Sequence, residues 1–137
     1  NMGAAMAWAA YDTISQHLKD TNRSSSFYDL IVTGDLGKLG MEIVIDLFAA
    51  DGIELRGNYN DCGIMLFDLE GQDVHCGASG CGCAASVLTG YLLNGMREGK
   101  WHNLLFCATG ALHSPTSLGQ GESIPGICHA VAISTGK

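Results

Sequence analysis

Apolar residues recur at helical spacing from the start of the chain. Met6, Ala10, Ile14 and Leu18 follow an alanine-rich opening and predict an amphipathic helix over 4–20. The polar cluster Thr21-Asn22-Arg23-Ser24-Ser25-Ser26 breaks it. The short apolar run Tyr28-Asp29-Leu30-Ile31-Val32-Thr33 then has the pattern of a strand buried on both faces. Gly34-Asp35 turns the chain into a second helical stripe, with apolar residues at Leu36, Leu39, Ile43, Val44, Leu47 and Phe48. A strand leading directly into a helix is the start of an α/β unit.

The pattern is less regular from Asp51 to Gly77. Loop signals at Gly57-Asn58-Tyr59-Asn60-Asp61 flank a candidate strand at Gly63-Ile64-Met65-Leu66-Phe67. The glycine-rich turn Gly77-Ala78-Ser79-Gly80-Cys81-Gly82 leads into a helix over 84–97, with Val87, Leu88, Tyr91, Leu92 and Met96 on its inner side. Asn103 to Thr109 reads as a buried strand, 110–126 as a long loop, and Gly126 to Ile133 as the last strand. This order predicts an α/β fold with a mixed sheet of about four to five strands, helices on both faces, and the last two strands as an antiparallel edge.

The 137 residues, 47% hydrophobic and 15% charged, suit a single domain over 1–137. Fourteen acidic against seven basic residues, with no Lys/Arg run to follow a phosphate backbone, argue against nucleic acid. No apolar stretch approaches the roughly 20 residues of a bilayer-spanning helix, and no signal peptide is visible, so membrane association is expected through a partner. Six cysteines (Cys62, Cys76, Cys81, Cys83, Cys107, Cys128) accompany a good apolar core, and several sit in apolar contexts such as Leu105-Phe106-Cys107-Ala108. Reduced thiols in a cytoplasmic setting are the expectation, rather than a disulfide framework.

Candidate chemistry concentrates in His75-Cys76-Gly77-Ala78-Ser79-Gly80-Cys81-Gly82-Cys83. Small residues there present backbone N–H groups at a helix start, which suits a carboxylate or an oxyanion. The same glycines also suit tight helix packing, and the cysteine spacing is not that of common zinc sites. A thiol nucleophile would need a nearby base from His75, His113 or His129. His129 lies in an apolar strand and reads as a packed histidine, whereas His113 and Ser114 lie in a loop after a strand, where function tends to reside.

Four segments carry a resemblance: Asn58-Tyr59-Asn60-Asp61-Cys62-Gly63; Gly80-Cys81-Gly82-Cys83-Ala84-Ala85-Ser86-Val87-Leu88; Ala108-Thr109-Gly110-Ala111-Leu112-His113-Ser114-Pro115-Thr116-Ser117; and Gln120-Gly121-Glu122-Ser123-Ile124-Pro125-Gly126-Ile127. Together with Met2-Gly3-Ala4-Ala5-Met6-Ala7 and Val32-Thr33-Gly34-Asp35-Leu36-Gly37, they resemble the second half of the stage V sporulation protein AD family, of the thiolase-like superfamily. The resemblance implies a carboxyl-terminal half-domain of a longer protein, and the start inside a helix-like segment agrees with that.

In condensing enzymes of that superfamily, the second half supplies a histidine and an asparagine to a cysteine in the first. The matching places here are Gly34 and, within Gly80-Cys81-Gly82-Cys83-Ala84-Ala85-Ser86, Cys81, so the resemblance implies a protein without condensing activity. One counter-reading remains: His75-Cys76-Gly77-Ala78-Ser79-Gly80 also resembles the thiolases' histidine loop, one residue shorter, which would keep a residual acyltransferase or thioesterase in play.

Membership implies binding of dipicolinic acid during its uptake into the developing spore, peripheral to the inner membrane, with other proteins of the same operon as partners. The candidate ligand residues, read from the helix-start turn and the loop after the strand, are His75, Ser79, Gly80, Cys81, Gly82, His113 and Ser114. No cofactor is implied. The net charge of −7 opposes an approaching dianion, so Ca²⁺ accompanying the ligand would help. A scaffold that only docks membrane partners is a further alternative. An isolated half would expose an apolar face, so self-association into a homo-oligomer is also expected.

Overall fold

The computed structural model describes residues 2–55, 57–65, 81–111 and 126–135. The first helix, α1 (Met2–Thr21), buries Ala7, Ala10, Ile14 and Leu18 and ends where Asn22 takes a left-handed conformation, φ 54°. There the Arg23 amide reaches back to the Leu18 carbonyl at 3.0 Å, closing the last turn. After a short 3-10 turn, β1 (Leu30–Thr33) leads into α2 (Gly37–Ala50). Then come β2 (Tyr59–Asp61), a helical turn over 62–65, α3 (Cys81–Arg97), β3 (Asn103–Ala111) and β4 (Gly126–Ser134).

The sheet order is β2-β1-β3-β4, with β1 parallel to both neighbours and β4 antiparallel to β3 from Asn103↔Ser134 to Ala111↔Gly126. Alternation along β1 and β3 splits the core in two. Ile31, Leu105 and Cys107 pack under α1 and α2, while Val32 and Leu104 pack with Leu92 and Met96 of α3 and with Cys62 and Met65. The expected mixed α/β sheet with helices on both faces and an antiparallel last pair is therefore present. Helices α1 and α2 run in the same direction, since Gly3 lies against Gly40 while Tyr11 packs on Phe48 and donates to Asp51.

The candidate strand at 63–67 is not one. Residues 62–65 are helical, 66 and 67 lie outside the described residues, and the strand is Tyr59–Asp61, inside the segment with loop signals. Its inward side chains, Tyr59 and Asp61, enter a polar network, so no apolar alternation marks it.

Three further expectations are corrected. Leu39 is 58% exposed and Gly40 is buried in its place, because α1 approaches so closely that a Cβ at Gly40 would lie 3.1 Å from the Gly3 carbonyl oxygen. Tyr91 is exposed on the outer side of α3, where it stacks near Trp101. His129 is exposed rather than packed. It shares the outer face of edge strand β4 with Val131, itself 55% exposed.

Candidate ligand site at the carboxyl edge of the parallel strands

In the order β2-β1-β3, the chain leaves β1 toward one side of the sheet and returns on the other, which makes the β1/β3 boundary a topological switch point. Ligands of open α/β sheets bind at such points, outside the carboxyl ends of the strands. Here that edge carries the β1–α2 turn, the end of β2, the end of β3 and the start of β4. It also carries the amino terminus of α3, because α3 connects β2 to the parallel register of β3.

The β1–α2 turn is held by one carboxylate. Asp61, fully buried, accepts the amides of Leu36 (2.9 Å), Gly37 (3.0 Å) and Gly63 (3.0 Å) and the Thr33 hydroxyl (2.5 Å). Because Thr33 gives its only hydroxyl proton to Asp61, Tyr59 must be the donor in the 2.8 Å contact between the two hydroxyls. Burial raises the Asp61 carboxyl above the usual carboxylate range, outweighing these hydrogen bonds, and burial likewise raises Tyr59 far above the usual phenol range. Two of the amides that open α2, those of Leu36 and Gly37, are thereby occupied.

Gly34 sits at the switch point. Its amide donates to the Cys107 carbonyl at 2.8 Å, and its carbonyl accepts the Thr109 hydroxyl. A Cβ there would stand 3.3 Å from both the amide nitrogen and the hydroxyl of Thr109. This space is too tight for a side chain unless β3 gives way, so the residue contributes shape and no base. Next to it, Asp35 is exposed with φ 39°, and its carboxylate faces Gly63, where a Cβ would come within 2.5 Å of Oδ1. A cleft of about 710 Å³ opens beside the turn toward α2, bordered by Asp35, Lys38, Met41, Glu42 and Asn60.

Of the residues singled out from the sequence, Cys81 and Gly82 are the first two positions of α3 and belong to this edge, as does Gly34. His75, Ser79, Gly80, His113 and Ser114 lie outside the described residues. The stretches that carry them join the described chain at Met65 and Cys81, and at Ala111 and Gly126. The Asp61 network had no sequence signal: an aspartate in Asn-Tyr-Asn-Asp reads as turn chemistry until a partner strand brings Thr33 beside it.

The sequence profile of stage V sporulation protein AD matches residues 1–134. The chain belongs to that family. The stage V sporulation protein AD of Bacillus subtilis (strain 168) is 47% identical over 133 residues, which are 97% of this chain and 39% of the relative. The chain thus spans about two fifths of that relative's length. Two of the segments that carry the resemblance, around Asp61 and around Thr109, contain the residues that shape the β1/β3 edge.

Proposed function

We propose that this member of a sporulation protein family is a non-catalytic binding protein for dipicolinic acid, taken up into the developing spore. The pyridine dicarboxylate would be held at the carboxyl edge of the parallel strands, on the amino terminus of α3. The observation that carries this reading is the division of labour between the two helix starts. Asp61 already occupies two of the amides that open α2, those of Leu36 and Gly37, and the start of α3 has only small residues, Cys81-Gly82-Cys83-Ala84-Ala85, in its first turns. The external carboxylate is therefore placed on the first amides of α3.

Ser79, His75, His113 and Ser114 belong to the stretches that flank this edge and are the proposed polar partners of the ligand. The cleft beside α2 suits a dianion less well, since Asp35 and Glu42 border it together with Lys38. With a net charge of −7, local donors must outweigh the overall field, and Ca²⁺ bound with the ligand would reduce that opposition. Partner proteins of the same operon would bring the complex to the inner membrane of the developing spore. Among the described residues no helix is long and apolar enough to cross a membrane.

Gly34 supports a reading without condensation chemistry, because the position matching a catalytic histidine has no side chain, and even a Cβ there would press on Thr109 at 3.3 Å. Titration calorimetry of dipicolinate, with and without Ca²⁺, tests the proposal on this chain and on the longer family protein. Saturable binding by the longer protein that is weakened by Gly82→Val is the expected result. No heat from either protein would overturn it. Turnover of an acyl thioester by the longer protein would replace it with the acyltransferase reading.

A further inference from the structure

The register of β3 and β4 sets Cys107 opposite Ala130 and Cys128 opposite Thr109, so the two cysteines are diagonal neighbours on the face covered by α1. The two thiols stand near enough to perturb each other's ionisation. The surroundings differ sharply. Cys107 is fully buried in the core, whereas Cys128 is half-buried and borders an open cleft of about 440 Å³ beside Asp12, His17, Asp20 and His129. Of the two residues, Cys128 is the one at the cleft, and Cys107 is the one enclosed by the core.

The backbone around the pair is also asymmetric. β3 is held between β1 and β4, while β4 is the last strand of the sheet, with the Cys128 carbonyl tied to the Thr13 hydroxyl at 3.1 Å. An edge strand bonded on one side only can take the small shift that a diagonal cross-strand disulfide requires.

We propose that Cys107 and Cys128 form a dithiol redox site that exchanges with low-molecular-weight disulfides entering by the cleft beside α1. In the first step the Cys128 sulfur attacks one sulfur of the small disulfide. The S–S bond breaks, the first small thiol leaves with the Cys128 proton, and a mixed disulfide remains on Cys128. The Cys107 sulfur then attacks Cys128, its proton leaving with the second small thiol. Two protein thiols are oxidised and one small disulfide is reduced to two thiols. The neighbouring Cys107 holds the Cys128 thiol below its usual range, while Cys128 and burial push Cys107 up, which matches Cys128 as the attacking group and Cys107 as the resolving one. The product would link β3 to β4 across the stretch that carries His113 and Ser114.

The test is incubation of the folded protein with oxidised glutathione, followed by acid quench, proteolysis and peptide mass mapping. The expected product is a Cys107–Cys128 linked peptide. Cys107→Ala should instead stop at a glutathione adduct on Cys128, and Cys128→Ala should lower modification of Cys107 at least about tenfold. If Cys107→Ala does not fold by circular dichroism, Cys107→Val, which keeps the site apolar, carries the same comparison. An unmodified Cys128 in the unsubstituted protein would overturn the proposal. So would a stable adduct on Cys128 that Cys107 fails to resolve.

Discussion

Asp61 Oδ2 accepts the Gly37 amide at 3.0 Å, so a buried carboxylate from β2 caps the first turn of the helix that follows β1. Two elements far apart in sequence are joined by one anion, and the same anion takes the Leu36 and Gly37 amides at the start of α2. Replacing it tests both roles. Asp61→Asn keeps the size but turns an N–H₂ group toward backbone N–H donors. It should cost about 2 kcal/mol in urea unfolding, the usual penalty of a buried polar group left unpaired.

The same residue predicts a pH trend. Its folded-state pKa is raised above the ordinary 3.8, so the ionised form is the one that folding disfavours. The contribution of Asp61 to stability is therefore fully present below about 3.8 and is lost as pH rises through the folded value. The stability gap between the unsubstituted protein and Asp61→Asn should narrow as pH rises through that range. A gap that widened instead would mean that the amides of Leu36, Gly37 and Gly63 outweigh burial.

Gly34 should resist any attempt to restore a catalytic side chain. With Thr109 only 3.3 Å from the position of a Cβ, Gly34→Ala should destabilise by about 1 to 3 kcal/mol, and Gly34→His by more. Acyl transfer should not appear in Gly34→His. Thermal unfolding together with an acyl-CoA hydrolysis assay checks both statements.

Gly95 offers a control remote from the proposed site. A Cβ there would lie 2.1 Å from Cζ2 of Trp101, whose ring nitrogen donates to the Leu92 carbonyl at 2.9 Å. Gly95→Ala would ordinarily favour a helix by about 1 kcal/mol, yet here it should destabilise by about 1 to 3 kcal/mol through the displaced ring. Trp101→Leu should reverse much of that penalty in the double variant. Dipicolinate affinity, measured where the variant is folded, should not change.

Burial pushes the Cys62 thiol up to about 12. It should therefore stay unmodified by iodoacetamide at neutral pH in the folded protein and react once urea unfolds it. Modification of Cys62 under native conditions would show that the helical turn over 62–65 opens readily.

Periodicity located α1, β1, α2, α3 and the β3–β4 pair within a few residues, because each buries a regular apolar face that local spacing displays. It failed where burial is polar or where two elements approach closely. β2 was invisible because Tyr59 and Asp61 point into a hydrogen-bonded network instead of an apolar core. Leu39 was misplaced because the close contact at Gly40 turns α2 about its axis. His129 was misplaced because an apolar strand need not be covered on both faces when it lies at the edge of a sheet.

By itself, the sequence determined the family and the alternation of helix and strand, since both are carried by local runs of residues. Only the tertiary structure decided which amides at the start of α2 are taken and which cysteines stand together. Those outcomes depend on strand order and register: parallel pairing puts Asp61 beside Thr33 and the α2 turn, and antiparallel pairing puts Cys128 diagonal to Cys107. No spacing along the chain encodes which strands become neighbours, because that choice is made by burying two apolar faces at once.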